Sequence, residues 1–209
     1  MTELADLAAT CKRLSAMFAY PTDATAAAIR AHLGVEVDLV SLRGDYQAIF
    51  GGPLPGTLPP LEAEYDQAHV FAKAHTLADL AGFYRAFGLE PSGGMHRVDH
   101  IAVELEFAHV LAAKEARALA LGDAEHASVC AAARRTLFAE HLGPWAVPYL
   151  ATAAKQAPGV YAKIAEEARA FLEGECRMLG IVLPPRATKR TEAEPTAADM
   201  GCAVPEAPR

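Results

Sequence analysis

No stretch of this sequence approaches the roughly 20 consecutive apolar residues that a membrane-spanning helix requires. A bilayer span is therefore excluded, although hydrophobic residues make up 52% of the 209. Cysteine is scarce and scattered: Cys11, Cys130, Cys176 and Cys202 include no C-x-x-C pair, so neither a zinc knuckle nor a redox dithiol is written in the chain. A G-x-S-x-G turn is missing and no cysteine stands in an activating context, which leaves nucleophilic catalysis without a recognisable centre. The Gly51-Gly52-Pro53 turn lacks the Gly-Lys-Ser/Thr of a phosphate-binding loop, and its prolines remove amides that would cradle an anion. Period-two alternation of useful length is absent, as is any repeat of fixed period, which argues against a sheet domain and against a solenoid. The first residues, Met1-Thr-Glu-Leu-Ala-Asp, have neither the basic head nor the apolar body of an export signal, so the expected location is the cytoplasm.

What remains is helical pattern. Leu4, Leu7, Cys11, Leu14 and Phe18 recur at three- and four-residue steps and predict one face of a helix that ends at Tyr20-Pro21. A short Ala-rich helix over Asp23–His32 should stop at Gly34, and a third, with Val35, Leu39, Leu42, Tyr46, Ile49 and Phe50 as apolar positions, at Gly51-Gly52-Pro53. Gly51–Pro60, with three glycines and four prolines, reads as a shaped loop, and Pro91-Ser92-Gly93-Gly94 as a second. Between them the helical pattern starts near Leu61 and reaches Phe87, with a break expected around His75-Thr76. Val98–Leu121 is the longest clean helix. Others are expected over Asp123–Leu142, Trp145–Gln156 and Val160–Ile181, with the single tryptophan at an interhelix corner between Pro144 and Pro148. The expected architecture is all-α: one helical bundle of eight or nine helices over residues 1–183, and a disordered tail over 184–209, where prolines and charges replace large apolar residues.

The net charge of −7 is unevenly placed. Residues 36–106 hold eleven acidic side chains against four basic ones, while the rest of the chain balances at 15 against 15. A cationic partner would be steered to that segment and nucleic acid repelled from it. Within it, Asp99 stands where a helix N-cap belongs, with Val98 and Val103 placed as a hydrophobic staple. His100 and Glu104 lie four apart and share a face as a candidate exposed pair. Glu106 and His109 form a Glu-x-x-His pair, which with His96, Asp99 and His100 supplies the alternative of a metal-dependent helical-bundle enzyme, although the second Glu-x-x-His of a di-iron site is missing.

Three segments in order carry a resemblance. Asp45-Tyr-Gln-Ala-Ile-Phe-Gly-Gly-Pro53 is similar to an E/D-Y-x-x-L-F-x-G-P element, Val98-Asp-His-Ile-Ala-Val-Glu-Leu-Glu-Phe107 to D-H-x-x-x-E-L-E-F/Y, and Phe138-x-x-His-Leu-x-x-Trp-x-x-Pro148 to F-x-x-H-L-x-x-W-x-P. Together they resemble the TorD-like chaperones of redox-enzyme maturation, with a departure at Ala63, where many members have serine. The resemblance implies a non-enzymatic chaperone without a cofactor of its own. Its partner would be the catalytic subunit of a molybdenum-cofactor oxidoreductase, held through its twin-arginine signal peptide, its apo-form or both until the cofactor is inserted. It also implies that Asp99, His100 and Glu104, with Tyr46, Phe50 and Trp145 of the flanking motifs, serve client binding, and it allows a monomer or a dimer. Such a client needs an acidic rim beside an apolar groove, and charge reversal at Glu104 and Glu106 is the expected way to weaken it.

Overall fold

Long apolar stripes at helical spacing settle the architecture, because each helix must bury its stripe against another. The computed structural model describes residues 2–51, 57–65, 70–90 and 97–183. Eight α-helical segments follow in order: α1 Thr2–Phe18, α2 Asp23–Leu33, α3 Leu39–Phe50, α4 Val70–Ala86, α5 Ile101–Ala120, α6 Ala124–Thr136, α7 Gly143–Gln156 and α8 Val160–Met178. A 3-10 turn spans Glu62–Glu64, and a π turn at Leu137–Leu142 joins α6 to α7 without a break. Seven separate rods result among the described residues, one fewer than the lower of the expected counts. The all-α class stands, and no strand occurs among the described residues.

Helix α5 is the axis of the bundle. Its Ile101, Leu105, Ala108, Leu111 and Ala112 are buried, a stripe with small residues that lets α1 and α6 approach closely. From α1 come Leu7, Cys11, Leu14 and Phe18, all buried as their spacing predicts, and Ser15 Oγ donates to the Ala102 carbonyl at 2.7 Å. Helices α7 and α8 pack against each other. Thr22, Asp38 and Asp123 cap α2, α3 and α6 by accepting backbone amides, and α2 stops at Gly34 as expected.

Three local expectations are corrected. Helix α4 passes through His75-Thr76 unbroken. Helix α5 starts at Ile101, with His100 rather than Asp99 as its N-cap. The tryptophan corner is no corner: the rod runs through Pro144 and Pro148 by shifting to π register, where the Gly143 amide donates to the Phe138 carbonyl. Proline in a helix clashes with the carbonyl four residues back and lacks an N–H to offer it. A π turn moves that carbonyl out of register and relieves the conflict. The loop at 91–94 and the tail at 184–209 lie outside the described residues.

Candidate functional site

The chemistry gathers where the segment 57–65 crosses Arg97–His100. Proline in the first segment limits its own amides, so the crossing is sewn largely by the few donors left. Ile101 donates to the Pro60 carbonyl at 3.0 Å and Glu62 to the Asp99 carbonyl at 2.9 Å, with one antiparallel bridge between Leu61 and His100. Tyr84 Oη adds a bond to the Val98 carbonyl at 2.8 Å.

Asp99 is fully buried here and takes three donors. Arg97 reaches it through Nε at 2.9 Å and Nη2 at 2.7 Å, and the Ala63 amide donates to Oδ2 at 3.2 Å. With its oxygens so engaged Asp99 cannot cap α5. The neighbouring His100 does so, Nδ1 accepting from Ala102 N at 3.1 Å. Its proton then lies on Nε2, 3.3 Å from Tyr46 Oη, which in turn donates to the Phe18 carbonyl at 3.2 Å. Tyr46 packs edge-on against Phe50, ring centroids 5.1 Å apart.

Glu104 lies one turn into α5 with no exposed surface. Trp145 Nε1 donates to its Oε2 at 3.2 Å, and Oε1 has no partner. Burial pushes its pKa well above the usual carboxylate range. Glu62 adds to this, the Trp145 hydrogen bond opposes it, and Asp99 adds further. The neutral, protonated form of Glu104 is thereby favoured. The expected exposed His100–Glu104 pair is corrected accordingly: both residues are buried, and the partner of Glu104 is Trp145. Around Trp145 the Tyr65 ring stacks at 5.8 Å and Tyr149 lies at 5.3 Å.

Beside Trp145 opens a polar pocket of about 190 Å³, with Glu62, Asp79, Glu140 and His141 on its wall. His141 bridges two carboxylates, Nδ1 lying 3.1 Å from Glu62 Oε2 and Nε2 3.5 Å from Asp79 Oδ2. Burial lowers the His141 pKa, but the hydrogen bond and charge of Glu62, then Asp79 and Glu140, outweigh it, and the net direction is upward.

Asp99, His100, Glu104, Tyr46, Phe50 and Trp145 are thus all buried and meet at or beside one junction. The sequence reading did not single out Glu62, Asp79 or His141. His141 stood within the third motif, but its partner Glu62 is 79 residues away, a separation that only the fold can close. Glu106 pairs with Lys12 at 2.6 Å, and His109 Nδ1 donates to the Ala8 carbonyl at 2.9 Å. Both of these serve the α1–α5 contact. His96 lies outside the described residues, among which no group of three or more His, Cys, Asp or Glu side chains is arranged to hold a metal ion.

The raised pKa values of Glu104 and His141 make stability depend on pH. An unfolded glutamate titrates near ~4.3 and an unfolded histidine near ~6.5. Raising the Glu104 pKa in the folded state makes stability fall as pH climbs above the unfolded value. Raising the His141 pKa supplies stability below ~6.5 that is lost as pH passes the folded value. Urea midpoints are therefore expected to be lower at pH 8 than at pH 6. Glu104→Gln, whose amide oxygen still accepts from Trp145, should show the smaller drop. An identical drop in the two proteins would mean that Glu104 is ionised in the fold.

Residues 15–151 match the family model described as the nitrate reductase delta subunit, a span that contains all three motifs. Among curated proteins no sequence matches significantly. A crystal structure of a redox enzyme maturation protein from Archaeoglobus fulgidus superposes with a TM-score of 0.55 at 23% identity, covering 78% of this chain and 92% of that one. At this identity the likeness speaks for the shared fold. No helix among the described residues is long and apolar enough to cross a membrane.

Proposed function

Because the chain belongs to the nitrate reductase delta subunit family of TorD-like redox-enzyme maturation chaperones, we propose that it holds the catalytic subunit of a molybdenum-cofactor oxidoreductase during assembly. It binds the twin-arginine signal peptide, the apo-form or both, on the cytoplasmic side, and lets go once the cofactor is in place. The observation that carries this reading is the family match across 15–151. A metal-dependent enzyme is not favoured, since Glu106 and His109 are spent on helix packing.

The buried junction supports a division of labour. Asp99, His100, Glu104, Tyr46, Phe50 and Trp145 serve the client by fixing the wall behind it, while the surface it meets includes the accessible acids of the pocket. Asp79 keeps 55% of its side-chain surface exposed, and Glu140 is exposed. This moves the acidic rim away from Glu104, which is fully buried, and from Glu106, which is paired with Lys12.

Size-exclusion chromatography of mixtures with a molybdoenzyme from the same genome tests the reading. Co-elution with the cofactor-free enzyme and not with the loaded one is the expected result. Equal co-elution with both, or with neither, would overturn it.

A further inference from the structure

The pocket beside Trp145 encloses about 190 Å³, room for several waters. Its polar groups come from four elements. Glu62 stands on the 3-10 turn, His75, Thr76 and Asp79 on α4, Glu140 and His141 on the π turn, and Trp145 on α7. Three carboxylates surround one small volume, and the planar His141 ring already lies between two of them. The Phe83 ring of α4 stands behind it, centroids 6.4 Å apart. Next to this wall is Glu104, whose Oε1 is buried without a partner and whose Oε2 is bound by the Trp145 indole.

A planar group with several N–H donors suits carboxylates that converge from different elements, and an indole wall favours a cation further. We propose that this pocket is a guanidinium subsite, in which an arginine side chain of the client replaces the His141 ring between Glu62 and Asp79. The proposal rests on the chaperone reading for the source of the arginine, but its chemistry can be tested without a client. Although burial opposes it, Glu62 and Asp79 favour the protonated form of the His141 ring. When the guanidinium enters, that ring gives up its proton to solvent, because a second positive charge among the same carboxylates is not needed and is repelled. Uptake of arginine is therefore coupled to proton release and strengthens as pH rises from 6 to 8.

The single tryptophan reports on the site directly. N-acetyl-arginine amide is titrated against Trp145 fluorescence, with N-acetyl-citrulline amide as the uncharged isostere. A saturable change with arginine alone is expected, tighter at pH 8 than at pH 6. Asp79→Asn and Glu140→Gln, both at accessible positions, should weaken it about three- to fivefold each, as the loss of a partly exposed charge pair does. Equal responses to arginine and citrulline, or unchanged affinity in both variants, would overturn the subsite. If a client leader binds equally well with citrulline in place of its arginines while the amide leaves Trp145 unmoved, the subsite fails and the chaperone reading stands. If the amide binds as described but no leader or apo-enzyme does, the subsite stands and the chaperone reading fails.

Discussion

Gly143→Ala is expected to lower unfolding stability by about 3 kcal/mol, a large loss for one methyl group. Gly143 is the residue at which the π turn gives way to α7. A β-carbon there would press on the Phe138 carbonyl oxygen, lie 2.7 Å from Leu183 Cδ2 and 3.0 Å from Cys176 Sγ. The side chains could move, but the carbonyl is backbone and belongs to the π turn itself. To make room the turn must unwind, and with it the register that lets the rod pass Pro144. Gly82→Ala is the control, since a methyl group there meets nothing within 4 Å. In the exposed middle of α4 that change should stabilise by up to about 1 kcal/mol. Denaturant midpoints of the two variants should therefore move in opposite directions.

Asp99→Ala should cost about 3 kcal/mol as well. Breaking a buried ion pair typically costs ~3–5 kcal/mol because a charge is left without its partner. Arg97 keeps 38% of its side-chain surface exposed and retains Glu64 at 3.2 Å, so water and that second carboxylate recover part of the loss. The Ala63 amide recovers little, being buried. The damage should be local as well as global, because Asp99 ties the segment 57–65 to the start of α5 and Tyr65 of that segment stacks on Trp145. Trp145 emission should shift to the red in the variant before global unfolding begins. Asp99→Asn, able to accept from Ala63 and from one arginine nitrogen, should lose roughly half as much.

The bundle was legible because its evidence is periodic. The stripe from Leu7 to Phe18 and the stripe from Ile101 to Ala112 each declare a helix and its buried face without help from the rest of the chain. The errors arose where a residue has two uses and the local sequence cannot choose between them. Asp99 is a good N-cap by type, yet Arg97 and the Ala63 amide claim its oxygens, and His100 inherits the cap. Pro144 and Pro148 are helix breakers by type, yet a π turn absorbs the first of them. Of the candidate residues, those in the motifs do converge, but into the interior. Burial of His100 and Glu104 was invisible because the pair looks the same on a wet face as on a dry one. The Glu62–His141–Asp79 bridge was hidden for another reason, since its members stand far apart in the chain and no spacing rule connects them.

The proposed role requires this helical scaffold to capture a molybdenum enzyme before its cofactor is inserted, by its positively charged leader, its apo-form or both. Isothermal titration calorimetry with leader peptides from molybdoenzymes of the same genome measures that most directly. Binding of one such peptide, weakened when its paired arginines become alanine and further weakened by salt, is the predicted result. A set of leaders that all fail to bind, together with cofactor-free enzymes that fail as well, would contradict it.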